Sequence, residues 1–311
     1  MRFLMFTGQG SQFVGMGKDL YESFDVVKET FNKANNVLGF DLVNMMFNGP
    51  EKTLTLTENA QPAILTVSVA IYNLLKSETD FDFDLAAGHS LGEYSALVAA
   101  GSLGFEDAVF AVHKRGKFMQ QAVPEGVGAM AAILTDKHSE VEELCKQTSK
   151  SLKNGYCQIA NYNAKKQVIV SGYKEGVDKV CELAREKKLG KVIPLSVSAP
   201  FHCALMEPVK EQMSKVLDGI HFSKPNRRVI ENTKSDVIDS EDNIKEYLIN
   251  QITEPVRWID NVNRAIELGC DEFVEFGPKN VLASMLKREL RKANINYVVD
   301  LESYNDYKDK V

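Results

Sequence analysis

Residues 85–100 read LAAGHSLGEYSALVAA, a short apolar run, a glycine-rich turn and a second apolar run. The first three residues predict a buried strand. Residues 91–100 predict a helix closed by Gly101, because glycine readily takes the left-handed conformation that ends many helices. Between them, Gly88-His89-Ser90-Leu91-Gly92 fits the pattern G-x-S-x-G. Strand, tight turn and helix in this order indicate an α/β fold.

The serine of this turn, Ser90, is the candidate nucleophile. A sharp turn lifts its hydroxyl out of the chain at a helix N-terminus, where free N–H groups and the helix dipole stabilise an oxyanion. The pattern alone is weak, because about one chain in ten of this length matches by chance. The strand before it and the helix after it favour a nucleophile over an ordinary turn.

A nucleophilic serine needs a base, and the chain has five histidines. His202 is the best candidate, because it follows a predicted strand and the rigid Ala199-Pro200-Phe201 segment. Serine before histidine is also the chain order of α/β hydrolases. No acidic third member of a triad stands out. Cys203 is a rival nucleophile, although a buried filler is the simpler interpretation. The other histidines fit ordinary core or surface positions: His89, His113, His138 and His221.

Composition excludes several classes of protein. The 311 residues are 44% hydrophobic and 26% charged, so there is enough apolar material for a packed core. Lys and Arg number 37 against 43 Asp and Glu, a balance of −6 that disfavours general binding to nucleic acid or to an anionic membrane. Five widely spaced cysteines without a CxxC pattern argue against a disulfide framework or a zinc site. We see no signal peptide or transmembrane run, so we expect a cytoplasmic protein.

The order of predicted strands and helices along the chain indicates two domains. Residues 126–198 predict strands and helices in the order β-α-β-β-α-β, which is the ferredoxin-like unit. The strands are expected at 129–134, 156–160, 168–171 and 192–197, and the helices at 138–150 and 177–187. We therefore expect a small ferredoxin-like domain at 126–198, inserted into an α/β hydrolase-like catalytic domain with a parallel sheet, formed by 1–125 and 199–311.

Further elements are expected in the large domain. Residues 2–6 and 272–276 predict strands, and 281–292 predict an amphipathic helix. Residues 62–76 predict a well-buried helix with Pro62 in its first turn, where the missing N–H costs nothing. The polar residues 302–311 are expected to be loosely held.

Several further segments of the sequence occur in the same order as in a known family. Together with the elbow and residues 93–97, they resemble the acyltransferase family of type II fatty acid synthesis, the malonyl-CoA:acyl carrier protein transacylases, over residues 3–290. The segments are Gly8-Gln9-Gly10-Ser11-Gln12, Gln61-Pro62-Ala63, residues 115–120 (RGKFMQ), Asn161-Tyr162-Asn163, Pro200-Phe201-His202, and Gln251 with residues 255–258 (PVRW).

The resemblance implies a reaction and a role for individual residues. It implies transfer of a malonyl group from malonyl-CoA to the phosphopantetheine thiol of acyl carrier protein, through an ester on Ser90 with His202 as general base and acid. The backbone amides of Gln9 and Leu91 are then the oxyanion hole, and Arg115 holds the malonyl carboxylate. Gln61, Asn161 and Gln251 are implied pocket residues, and a main-chain carbonyl near Gln251 orients the histidine.

The same resemblance implies no metal and no cofactor, since coenzyme A enters as part of a substrate. A monomer is expected, with no nucleic acid and no membrane as partner. Physical chemistry supports the role of Arg115 separately, because a buried guanidinium stays charged and can bind a carboxylate through two parallel hydrogen bonds.

Alternatives remain open at this point. The enzyme could transfer another extender unit or serve a polyketide pathway. It could be a thioesterase or lipase with water as acceptor, or a silent scaffold that binds carrier protein. Carrier protein is acidic in the family, which makes local basic clusters the candidate docking sites: Lys165 and Lys166; Lys187, Lys188 and Lys191; and Lys287, Arg288, Arg291 and Lys292.

Overall fold

A computed structural model describes residues 1–195, 197 and 199–311. Its strands are β1 Arg2–Phe6, β2 Leu85–Gly88, β3 Gly128–Leu134, β4 Cys157–Ala164, β5 Gln167–Tyr173, β6 Lys191–Pro194, β7 Arg228–Ile230, β8 Val237–Ile238, β9 Glu272–Phe276 and β10 Asn294–Val298. Its helices are α1 Lys18–Ser23, α2 Asp25–Leu38, α3 Leu42–Asn48, α4 Glu51–Leu54, α5 Thr57–Glu78, α6 Gly92–Ala99, α7 Phe105–Gln121, α8 His138–Ser151, α9 Lys174–Glu186, α10 Glu207–Leu217, α11 Ile244–Asn250, α12 Trp258–Glu267, α13 Val281–Glu289 and α14 Leu301–Lys308. A 3₁₀ turn, Ala204–Met206, precedes α10.

The larger sheet has the strand order β10-β9-β1-β2-β7-β8. All neighbouring strands in it are parallel except β7 and β8, which pair antiparallel at one edge. Alternate residues of β1 enter different apolar clusters, Leu4 and Phe6 one of them and Phe3 and Met5 the other. Successive side chains of a strand point to opposite faces, so both faces of this sheet are covered. The expected α/β fold with a parallel sheet is confirmed.

The smaller sheet is antiparallel and has the order β4-β5-β3-β6. Helices α8 and α9 pack on it and enclose an apolar cluster that includes Ile133, Val168 and Val180. The expected ferredoxin-like unit is thus confirmed. The strand expected at 192–197 is observed as β6, which ends already at Pro194, and position 196 of the expected range lies outside the described residues. We propose the domain division 1–125 with 199–311 and 126–198, whose last residue, 198, is also outside the described part.

Pro62 does not lie in the first turn of its helix, as the sequence suggested. Helix α5 begins at Thr57, and Pro62 is inside it. A proline in a helix leaves the carbonyl four residues earlier without its usual donor, here that of Glu58. The Nδ1 of His113 fills that place, 2.9 Å from the Glu58 carbonyl oxygen. His113 therefore has a structural contact that allows the helix to extend past the proline.

The C-terminal segment is not loosely held, and that expectation was wrong. It forms α14, which Asp300 caps through its side chain and the amide of Ser303. Tyr304 and Tyr307, one turn apart, are 2% and 1% exposed. Tyr304 contacts Phe24, and the Tyr307 hydroxyl donates to Glu272 of β9. Two aromatic anchors at helical spacing outweigh the polar residues around them.

Candidate active site

The G-x-S-x-G turn connects β2 to α6 and holds Ser90 in the left-handed region, at φ 53°. Its two glycines are required by close packing. A Cβ on Gly88 would lie 1.9 Å from the backbone of Gly92, and a Cβ on Gly92 would lie 2.3 Å from the carbonyl oxygen of Phe6. The backbone strain at a non-glycine residue is the signature of a nucleophile elbow, as the sequence predicted.

Asn232 holds this strained turn from outside the motif. The residue is fully buried and follows β7. Its Nδ2 donates to the carbonyl of Gly88 at 2.8 Å, and its Oδ1 accepts from the backbone N–H of Ser90 at 2.8 Å. One amide thus bonds the backbone on both sides of the turn. The local sequence gives no signal for Asn232, because the two contacts join residues more than 140 positions apart.

His202 lies beside Ser90, as expected. Its Nε2 is 2.8 Å from the Ser90 Oγ, and its Nδ1 is 2.7 Å from the backbone carbonyl oxygen of Gln251. A carbonyl only accepts, so Nδ1 carries the proton and Nε2 is the acceptor for the serine hydroxyl. Burial and the positive charge of Arg115 lower the pKa of His202 to about 3. The imidazole is therefore neutral at pH 7 and able to take a proton.

Arg115 is a buried cation in direct contact with the candidate nucleophile. Its side chain comes from α7 and is 1% exposed. Nη2 donates to the Ser90 Oγ at 3.0 Å and to Gln251 Oε1 at 2.7 Å, while Nη1 donates to Gln61 Oε1 at 2.9 Å. Within the described residues Arg115 forms no ion pair, and its Nε has no acceptor. An uncompensated buried charge is costly, so the site favours an anionic ligand.

A cavity of about 750 Å³ opens onto these groups. Candidate site residues line it from both domains: Gln9, Gln61, Ser90, Arg115, Asn161 and His202. Asn161 belongs to β4 of the small sheet, and apolar residues of that domain such as Met130 and Ile169 form another part of the wall. The cavity therefore lies where the small domain meets the elbow, and its mixed polar and apolar lining suits an acyl chain with a charged end.

Gln251 was expected in the pocket wall, but it lies behind the site and is fully buried. Its side-chain amide bonds Arg115, the backbone carbonyl of Ser90 and the carboxyl of Glu93. Its own carbonyl orients His202, as the resemblance implied. Glu93 is a second residue without an assigned role at the sequence level, although one acid in the apolar run of α6 was a visible signal.

The two backbone amides expected to form an oxyanion hole belong to Gln9, at the cavity, and to Leu91, beside Ser90. Gln9 lines the cavity, and Leu91 directly follows Ser90 at the start of α6. Across the described part of the chain, neither N–H donates to a protein acceptor. Both donors are thus available to a ligand oxygen.

The rival candidates lie elsewhere or are already bonded. Cys203 is fully buried, its Sγ lies 3.2 Å from the Pro200 carbonyl, and burial raises its pKa to about 11, so it is not a thiolate nucleophile. His89 bonds Asn163 through Nε2 at 2.8 Å.

Among the described residues no cluster of His, Cys, Asp or Glu is arranged to hold a metal ion. Likewise, none of the helices described here has the length and apolar character needed to span a bilayer.

A serine at a strand–helix turn, bonded to a neutral histidine, is the arrangement with which serine enzymes form acyl esters. Comparison with known proteins agrees with this class: the family model described as "Acyl transferase domain" matches residues 3–305, so the chain belongs to the acyl transferase family.

Curated relatives show which members of that family the chain is similar to. The chain is 45% identical to a malonyl CoA-acyl carrier protein transacylase of Bacillus subtilis, over 96% of this chain and 93% of the relative. It is 39% identical to the protein of the same name from Haemophilus influenzae, over 97% and 96% of the two chains.

Solved structures of malonyl-transacylases are also similar to this chain. A malonyl-transacylase in complex with a type II PKS acyl-carrier protein superposes with a TM-score of 0.96 at 37% identity, covering 100% of this chain and 99% of that one. The MCAT of Streptococcus pneumoniae superposes with a TM-score of 0.94 at 38% identity, with 100% of both chains covered.

Proposed function

We propose that this protein transfers a malonyl group from malonyl-CoA to the phosphopantetheine thiol of acyl carrier protein, and so supplies malonyl units for fatty acid chain elongation. The observation that carries the proposal is the contact of the Ser90 hydroxyl with a buried guanidinium that forms no ion pair within the described residues. Malonyl differs from acetyl by one carboxylate, and a buried Arg115 with no ion-pair partner among the described residues favours acyl groups that carry a carboxylate. The transacylase names of its relatives support the same conclusion.

The first half of the reaction acylates Ser90. His202 Nε2 takes the hydroxyl proton while Oγ attacks the thioester carbonyl, forming the ester C–O bond. The backbone N–H groups of Gln9 and Leu91 stabilise the oxyanion. The C–S bond then breaks, and His202 gives its proton to the departing sulfur, so that coenzyme A leaves as the free thiol.

The second half reverses these roles. His202 takes the proton of the phosphopantetheine thiol, and the sulfur attacks the malonyl ester carbonyl. The ester C–O bond breaks and the proton returns to the Ser90 oxygen. Throughout, Arg115 binds the free carboxylate, while Gln61 and Asn161 are the proposed polar contacts of the cavity wall. Gln251 acts from behind by orienting His202 and Arg115.

The remaining expectations belong to the same proposal. We propose that the protein works in the cytoplasm as a monomer, without metal, cofactor or nucleic acid. Light scattering of the purified protein tests the monomer, and activity after exhaustive dialysis against a chelator tests the absence of a metal requirement.

Intact-mass measurement tests the proposed reaction. Incubation with malonyl-CoA should add about 86 Da, the malonyl group of the covalent intermediate, and peptide mapping should locate it on Ser90. Addition of holo acyl carrier protein should remove the adduct and leave the carrier malonylated. The Ser90→Ala variant is the control and should show no adduct. An unlabelled wild-type enzyme would favour the scaffold, and free malonate as the main product would favour a thioesterase.

A further inference from the structure

Glu93 is a buried acid that the proposed reaction does not use. It lies in the first turn of α6, three residues after Ser90, and its side chain is fully buried. It does not line the cavity, so it does not contact substrate directly. Its Oε2 accepts from Gln251 Nε2 at 2.7 Å, and its Oε1 has no partner among the described residues. Burying a polar group this deeply costs free energy, so we expect the Glu93 carboxyl to have a structural or functional role.

The hydrogen bonds of Gln251 explain why an acceptor is needed at this point. Its Nε2 donates to Glu93 Oε2 and, at 3.0 Å, to the backbone carbonyl of Ser90. Its Oε1 accepts from Arg115 Nη2 at 2.7 Å. A flipped amide would set its N–H groups against the guanidinium, which only donates, and its oxygen against two acceptors. The acceptors on one side of Gln251 therefore determine that its oxygen faces Arg115.

We propose that Glu93 is a positioning residue, whose oxygen orients the Gln251 amide so that Gln251 in turn holds Arg115 against Ser90. The proposal takes malonyl transfer as the reaction and adds a residue that controls preference for the charged acyl group. Without Glu93, the Gln251 amide keeps only the Ser90 carbonyl as acceptor for its N–H groups and is freer to turn. Arg115 then loses a fixed partner, and the malonyl carboxylate meets a less ordered guanidinium.

The oxygen atom, rather than the negative charge, is what this role requires. Burial and the nearby Glu231 raise the pKa of Glu93 to about 8, so the carboxyl is largely protonated at neutral pH. The hydrogen bond from Gln251 occupies Oε2, so a proton carried by Oε1 leaves this contact in place. A glutamine at position 93 supplies an amide oxygen in the same place and should preserve the arrangement, whereas a leucine of similar size cannot.

The test measures how fast Ser90 is acylated by malonyl-CoA and by acetyl-CoA, and compares the ratio of the two rates between variants. Glu93→Leu should lower this ratio about tenfold or more, the effect of losing a hydrogen bond that orders a charged group. Glu93→Gln should restore it to within about threefold of the wild type. Glu93→Asp keeps the carboxyl but withdraws it by one methylene, so it should resemble Glu93→Leu. This variant also serves if Glu93→Leu does not fold.

Glu275→Leu is the matched control. Glu275 is a fully buried acid of β9 whose oxygens accept from the amides of Leu282 and Ala283, and its side chain does not line the cavity. Its loss should lower the urea midpoint and leave the substrate ratio unchanged. A wild-type ratio in Glu93→Leu or Glu93→Asp, a low ratio in Glu93→Gln, or an equal shift in Glu275→Leu would overturn the inference. If the wild type itself acylated equally fast with both substrates, the proposed function would fall first.

Discussion

Arg115 Nη2 and Ser90 Oγ lie 3.0 Å apart, so a buried cation donates directly to the atom that the proposed reaction acylates. In a malonyl ester on Ser90, the free carboxylate is separated from the ester carbonyl by a single methylene. The guanidinium is therefore placed within reach of that carboxylate while it remains close to the reacting oxygen. In the proposed reaction Arg115 contacts both the nucleophilic oxygen and the malonyl carboxylate, which makes it the most informative residue of the site.

The low pKa of His202 predicts the pH dependence of acylation. Only the neutral imidazole can take the serine proton. With a pKa of about 3, His202 stays neutral at pH values well below 6.5, the ordinary pKa of histidine. The rate of Ser90 acylation should therefore stay level from pH 8 down to about 5. Rapid-quench labelling with malonyl-CoA across this range is the measurement. A decline with a midpoint near 6.5 would contradict the buried, neutral base.

Two variants check the origin of this behaviour. His202→Ala should slow acylation by roughly 10²–10⁴-fold, the contribution of a positioned base. In Arg115→Ala, removal of the positive charge should raise the pKa of His202, so the rate with acetyl-CoA should begin to fall at a higher pH than in the wild type. An unchanged profile in Arg115→Ala would mean that burial alone sets the pKa.

Asn232 is predicted to maintain the strained conformation of Ser90. Asn232→Ala removes both backbone contacts of the amide and should cost about 1–3 kcal/mol in the free energy of unfolding, since buried partners lose their hydrogen bonds. Asn232→Asp keeps an acceptor for the Ser90 N–H but loses the donor to Gly88, so it should be intermediate. Urea unfolding and the acylation rate are measured together. Full acylation activity in folded Asn232→Ala would show that the elbow holds its shape without this residue.

Carrier protein is predicted to dock near the hairpin of Lys165 and Lys166. Both residues are exposed in the turn between β4 and β5, directly before Gln167, which lines the cavity. Reversing both charges to glutamate should raise the KM for an acidic carrier several-fold and leave that for malonyl-CoA unchanged. The control is the same reversal at Lys187 and Lys188, exposed residues after α9 that do not line the cavity. Equal effects of the two reversals would reduce the prediction to an effect of net charge.

Local sequence signals predict the two residues that the proposed mechanism places at the reacting centre. Ser90 lies in a motif that shapes its own turn, and His202 follows a rigid proline segment. The supporting residues could not be predicted in the same way. Asn232 and Gln251 reach the elbow from positions 142 and 161 residues away from Ser90, and nothing near them in sequence indicates that contact. Such partners are determined by the order of strands in the sheet, which local periodicity does not specify.

The errors in the fold have the same origin. Proline is unfavourable in a helix interior, so the sequence places Pro62 at a helix start, yet a histidine from another helix donates to the carbonyl that the proline leaves without a donor. The polar composition of the tail suggests a loose segment, whereas Tyr304 contacts Phe24, directly before α2, and Tyr307 contacts Phe81. In both cases a tertiary contact outweighed a local preference.

The kcat/KM for malonyl-CoA relative to acetyl-CoA, measured for wild type, Arg115→Ala and Arg115→Lys with one carrier protein, tests the central claim most directly. A hydrogen-bonded buried charge contributes about 1.5–3 kcal/mol, so the ratio should fall by roughly 10- to 150-fold in Arg115→Ala. Arg115→Lys should recover only part of it, because an ammonium group cannot make the two-pronged contact. Equal losses on both substrates would contradict the account, since Arg115 would then support the fold or the nucleophile without selecting the malonyl carboxylate.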